Sequence, residues 1–114
     1  MIPYGKQSIN DEDIAAVVEA LQSDFLTCGP RVEEFEQAFA EFVGAKHAIA
    51  VCNATAALHL AMLIAEIGVG DRVVTSANTF LSSANCAAFV GATPDFCDID
   101  PATHVMCAEA LKDM

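Results

Sequence analysis

Three times between residues 44 and 97 a glycine follows a stretch that reads as helix, and a short, largely apolar run comes after it: Gly44 precedes 47–52, Gly68 precedes 72–75 and Gly91 precedes 93–97. Glycine readily adopts the left-handed conformation that ends a helix. A short apolar run suits a strand of a parallel sheet, which is covered on both faces. His47-Ala48-Ile49-Ala50-Val51-Cys52 therefore reads as a buried strand, and Asn53-Ala54-Thr55 as the turn into a helix over 55–67 that Gly68 caps. Ala56, Ala57 and Ala61 would let that helix approach a sheet closely. The run 72–75 is a second strand, 76–79 its turn, Phe80 to Val90 a helix closed by Gly91, and 93–97 a third strand. Such alternation predicts an α/β fold with a parallel sheet and right-handed crossovers.

The chain before Gly44 is helical packaging. Ile2 to Gln7 reads as an extended arm, because Pro3 and Gly5 both oppose helix. With Asn10 or Asp11 as N-cap and acidic residues in the first turn, Ile14, Val17, Val18 and Leu21 recur at helical spacing until about Ser23. Asp24-Phe25-Leu26-Thr27-Cys28-Gly29-Pro30 is a loop, and Pro30 opens a helix whose Val32, Phe35, Phe39 and Phe42 share a face up to Gly44. Another helix begins near Ala108.

Composition narrows the function. At 114 residues there is room for one compact domain and not for two. With 54% hydrophobic residues, apolar surface must be buried within the chain or against a partner. Five Lys+Arg against 16 Asp+Glu, a net charge of −11, argue against a general electrostatic grip on nucleic acid or an anionic membrane. An anionic ligand must then be held by local geometry. No apolar run reaches the ~18–20 residues of a spanning helix, and Met1-Ile2-Pro3-Tyr4 carries no signal-peptide pattern, so a cytoplasmic location is expected. The five cysteines form no C-x-x-C and read as reduced, mostly core-filling thiols. His47, His59 and His104 lack metal-ligand spacing, and His59 reads as a packed residue of its helix. No metal site is expected. Dinucleotide, P-loop and nucleophile-elbow glycine motifs are absent from the sequence.

Ligands of open parallel sheets collect where strand-to-helix turns face one another. The turn Asn53-Ala54-Thr55-Ala56 opens a helix, whose free N–H groups and dipole suit a phosphate, with the Thr55 hydroxyl as a further donor. Helix capping alone would also account for Asn53 and Thr55. Phe80, after the next strand, can stack on a planar ligand or fill a core. Asp98 and Asp100 suit loop and capping chemistry better than catalysis.

Taken in order, Ile2-Pro3-Tyr4-Gly5, Ser23-Asp24-Phe25-Leu26-Thr27-Cys28-Gly29-Pro30, Phe35-Glu36, Asn53-Ala54-Thr55-Ala56-Ala57-Leu58-His59-Leu60-Ala61, Asn78-Thr79-Phe80 and Ser83-Ala84-Asn85 resemble the beginning of the DegT/DnrJ/EryC1/StrS sugar aminotransferases. The resemblance runs through essentially the whole chain. It implies the N-terminal part of a type I, aspartate-aminotransferase-like fold, with a parallel-sheet start and flanking helices. Residues 1–30 would supply arm, helix and substrate loop, and 31–114 the incomplete start of the large cofactor domain. It further implies pyridoxal 5′-phosphate (PLP), a UDP-sugar acceptor, glutamate as amino donor and a homodimer. The Ser-Asp-Phe-Leu-Thr loop and the Tyr-Gly opening are most similar to the branch that makes UDP-4-amino-4,6-dideoxy-N-acetyl-β-L-altrosamine, a step toward pseudaminic acid. By the same resemblance Ala54, Thr55 and Ala56 hold the cofactor phosphate, Phe80 stacks on its ring, and Tyr4, Asp24, Phe25, Leu26 and Thr27 approach the sugar nucleotide. Cys28 stands where Gln is usual, and Ala54 where Gly is frequent. The Schiff-base lysine is expected beyond Met114, since Lys6, Lys46 and Lys112 all read as surface residues. A noncatalytic sugar-nucleotide or phosphate-binding module and a dehydratase of the same family are the alternative readings.

Overall fold

A computed structural model of the chain describes residues 5–114. The fold divides between Ala50 and Val51 into two compact units.

The first unit holds two helices, α1 (Asp11–Gln22) and α2 (Pro30–Val43). Asn10 begins α1 through a reciprocal capping box: its Oδ1 accepts from the Asp13 N–H at 3.0 Å, and the Asp13 carboxylate accepts from the Asn10 N–H at 2.9 Å. Pro30 occupies the first turn of α2, where a missing N–H costs nothing, and Gly44 ends that helix at φ 69°. Arg31 at the start of α2 pairs with Glu19 of α1 and with Glu34. Both carboxylates hold the guanidinium pKa above its ordinary value, the Glu34 hydrogen bond most strongly.

The second unit contains α3 (Ala54–Ile64), β1 (Arg72–Ser76), α4 (Ser82–Phe89), β2 (Thr93–Cys97) and α5 (Ala108–Lys112). β1 and β2 pair in parallel, from Arg72 opposite Thr93 to Ser76 opposite Cys97, with α4 as the connection. This is the expected strand, helix, strand unit. The helix α4 packs on both strands and carries the buried Ala84, Cys86 and Ala87, which with Ala92 and Cys97 form the core.

Four details differ from the sequence expectation. Residues 47–52 form no strand, and Ile49 is 81% exposed. A strand needs a hydrogen-bonded neighbour, and among the described residues the sheet contains only β1 and β2. Second, α3 stops at Ile64 rather than reaching 67. Glu66 takes the left-handed conformation at φ 57°, and the N–H groups of Glu66 and Ile67 turn back to the carbonyls of Leu63 and Met62. Gly68 serves the following turn, where its N–H donates to Asp71 at 2.8 Å. Third, α3 lies against α4 rather than on the sheet: Ala57 and Ala61 stay exposed, and His59 packs edge-on to Phe89 with ring centroids 5.6 Å apart. Fourth, only Cys86 and Cys97 are buried thiols. Cys28 and Cys52 are exposed, because one lies in a loop at φ 52° and the other in the unpaired 47–52 segment.

Candidate functional site

The site grows from the first turn of α3. Asn53 caps this helix, with its Oδ1 accepting the Ala56 N–H at 2.9 Å and its carbonyl accepting the Ala57 N–H at 3.2 Å. Among the described residues the N–H groups of Ala54 and Thr55 form no hydrogen bond. With no acidic residue in the first turn, the positive end of the helix dipole is uncompensated there. Two donors and a favourable field thus remain at one end of a helix.

The Thr55 hydroxyl is held across to the next helix. Its Oγ1 lies 2.8 Å from the Oγ of Ser82, the first residue of α4, so a 27-residue separation in sequence closes to one hydrogen bond. Ser82 is 6% exposed and is the buried polar residue of the core. The turn leading into α4 is itself organised by hydroxyls: Ser76 Oγ accepts the Asn78 N–H at 3.3 Å, and Thr79 donates to Ser83 at 3.0 Å. Phe80 sits in that turn, two residues before Ser82, and leaves 68% of its surface open. An aromatic ring so exposed contributes little to a core and is free to cover a planar ligand.

Of the residues singled out in the sequence, Thr55 and the turn of Phe80 are tied together through Ser82. Ala56 has its N–H engaged by Asn53, leaving Ala54 and Thr55 as the open backbone donors. In the first unit, Asp24, Phe25, Leu26 and Thr27 are all exposed. Their loop is anchored by the Ser23 hydroxyl, which donates to the carbonyl of Ala20 at 2.7 Å, and by Gly29, where a Cβ would come within 2.9 Å of the Phe25 carbonyl oxygen. Tyr4 lies outside the described residues. Lys6, Lys46 and Lys112 are exposed, none of them in the first turn of α3 or the turn of Phe80. Asp98 lies exposed after β2, and Asp100 accepts the Ala102 and Thr103 N–H groups at 2.8 and 3.0 Å. Those bonds, Thr103 first, lower its pKa below the usual carboxylate range and give it a loop-forming role. Ser82 was not singled out from sequence. A serine opening an Ala-rich helix reads as a cap, and only the tertiary pairing distinguishes it.

Comparison with solved structures defines the class. Spr1654 from Streptococcus pneumoniae, a sugar aminotransferase by name and solved in PLP and PMP forms, shares the fold at a TM-score of 0.89 and 33% identity, over 98% of this chain and 29% of its own PLP-form chain. An aminotransferase from Psychrobacter cryohalolentis matches at a TM-score of 0.87 and 34% identity, again over 98% of this chain and 29% of the other. The fold is that of PLP-dependent sugar aminotransferases. The pattern of the DegT/DnrJ/EryC1/StrS aminotransferase family matches residues 7–114, and the chain belongs to that family. The spore coat polysaccharide biosynthesis protein SpsC of Bacillus subtilis (strain 168) is 52% identical over 102 residues, which is 90% of this chain and 26% of that protein. The chain thus spans about a quarter of the length of this relative.

Proposed function

We propose that this chain is the N-terminal part of a PLP-dependent sugar aminotransferase, in which the first turn of α3 holds the cofactor phosphate and Phe80 covers its ring. The observation that carries the reading is the Thr55 hydroxyl, fixed at 2.8 Å by a buried serine beside two open N–H groups at a helix N-terminus. These groups fit a phosphate by charge and by donor chemistry. When bound, PLP supplies the electron sink that lets an amino group leave a donor and enter an acceptor.

The residues of this chain bind and orient. Thr55 would hold the phosphate by hydrogen bonds from its hydroxyl and its N–H, the Ala54 N–H would add another donor, and Ala56 would join where its N–H leaves Asn53. Phe80 stacks on one face of the ring and keeps water from it. Residues 1–30 supply the arm and substrate loop, with Tyr4, Asp24, Phe25, Leu26 and Thr27 contacting the sugar nucleotide, and 31–114 open the large cofactor domain. The anchoring lysine lies beyond Met114. The acceptor is a UDP-4-keto-6-deoxy-N-acetylhexosamine aminated at C4 with glutamate as donor, on the route to pseudaminic acid or a related nucleotide sugar, and the enzyme is a cytoplasmic homodimer. The likeness to SpsC supports a role in polysaccharide biosynthesis. Among the described residues no helix is long and apolar enough to cross a membrane.

The test is borohydride reduction of the PLP-treated, intact protein, followed by peptide mapping and by an amino-transfer assay with glutamate and the 4-keto sugar nucleotide. The expected result is one labelled lysine beyond Met114 and transfer to C4. Stoichiometric label on Lys6, Lys46 or Lys112 would overturn the assignment.

A further inference from the structure

Resting on the phosphate reading of Thr55, we infer that Ser82 is a positioning residue for the cofactor phosphate, acting through the Thr55 hydroxyl and touching no ligand itself. A hydroxyl carries one proton and two lone pairs, whereas a phosphate dianion only accepts. Between Thr55 and Ser82 either oxygen can be the donor in the ligand-free chain. With phosphate bound the direction is determined: the Thr55 O–H must point its hydrogen bond at the phosphate, so Ser82 must donate to Thr55 Oγ1.

Ser82 is suited to this. It is 6% exposed, and among the described residues its hydroxyl bonds to Thr55. Water therefore competes poorly for its proton. Ser82 is the first residue of α4, a helix packed on both strands, so the donor sits on an element held by the sheet. The bond holds Thr55 in one rotamer and polarises its O–H toward the ligand, as linked hydrogen bonds do. It also ties the phosphate turn to α4, two residues after Phe80, so phosphate and ring contacts share one support.

The experiment measures affinity of the intact protein for PLP and for pyridoxal, which lacks the phosphate, in Ser82→Ala, Thr55→Val and the double variant. Ser82→Ala is expected to weaken PLP binding about five-fold, and Thr55→Val ~10-fold or more, as for loss of a hydrogen bond to a charged group. In the double variant the serine change adds nothing, and pyridoxal affinity is unchanged throughout. A serine that only docks α3 on α4 would instead weaken PLP and pyridoxal alike, with or without Thr55→Val, and that result overturns the inference. Unchanged PLP affinity in Ser82→Ala with a loss in Thr55→Val overturns the role of Ser82 alone. Unchanged affinity in Thr55→Val overturns the phosphate reading beneath it. Ser82→Cys, which fills the same place with a weak donor, must show the same dependence on Thr55 and serves where Ser82→Ala does not fold.

Discussion

Asn53→Asp separates helix capping from the proposed phosphate binding at the α3 N-terminus, because it should move stability and PLP affinity in opposite directions. The Asn53 Oδ1 accepts the Ala56 N–H at 2.9 Å, and a carboxylate oxygen keeps that bond in the same geometry. The first turn of α3 holds no acidic residue, so the new charge meets an uncompensated dipole and is worth about 0.3–1 kcal/mol to the ligand-free fold. The same charge lies within one turn of the proposed phosphate. At a separation of roughly 5 Å in a water-like dielectric, a unit charge against a phosphate of about −2 costs ~1.7 kcal/mol, or ~15-fold in affinity. The variant should therefore melt slightly higher without PLP and bind PLP about an order of magnitude more weakly, the deficit shrinking as salt is raised. Thermal unfolding without ligand and fluorescence titration with PLP at two ionic strengths read both effects. A protein that gains stability while PLP affinity stays unchanged would show that no anion sits at this helix end.

Three further outcomes follow from particular residues. Phe80→Ala removes a side chain 68% exposed, so unfolding free energy should change by less than about 0.5 kcal/mol, while PLP binding weakens by roughly 2- to 10-fold as for a lost stacking partner; a large stability loss would make Phe80 a core residue. Glu66→Gly relieves a non-glycine residue at φ 57° at the end of α3 and should stabilise by roughly 0.5–1 kcal/mol in denaturant titration. Asp100 has its pKa lowered on folding, so its carboxylate stabilises the fold above the ordinary carboxylate range and that contribution disappears as pH falls through the lowered value. The stability gap between the native protein and Asp100→Ala should thus be full at neutral pH and close in acid, which paired unfolding curves across pH will show.

The punctuation of this fold was legible in the sequence. Asn10, Pro30, Gly44 and Asn53 stand where capping chemistry puts them, and the glycine-separated runs 72–75 and 93–97 became paired strands. The caps are legible because each is settled within one turn of chain, and the two strands because a single helix joins neighbouring parallel strands. Partners that neither signal specifies are not legible. The apolar run 47–52 says that it wants covering and not by what, and no ladder forms on it among the described residues. The end of α3 falls before Gly68 because Glu66 accepts a left-handed conformation that glycine would ordinarily take, leaving Gly68 to the next turn. Thr55 and Phe80, the residues proposed to meet the cofactor, stand out in the sequence, since strand-to-helix turns are natural ligand positions and the motif resemblance selects these two. Ser82 does not, since the role proposed for it rests on a hydrogen bond spanning 27 residues.

One helix turn and one aromatic residue of this chain are proposed to hold PLP. A crystal structure of the intact protein with PLP tests this most directly. The expected result is the phosphate within hydrogen-bonding distance of Thr55 Oγ1 and the Ala54 and Thr55 nitrogens, with the pyridine ring stacked on Phe80. A phosphate bound away from the first turn of α3, or a ring with Phe80 turned to solvent, would contradict it.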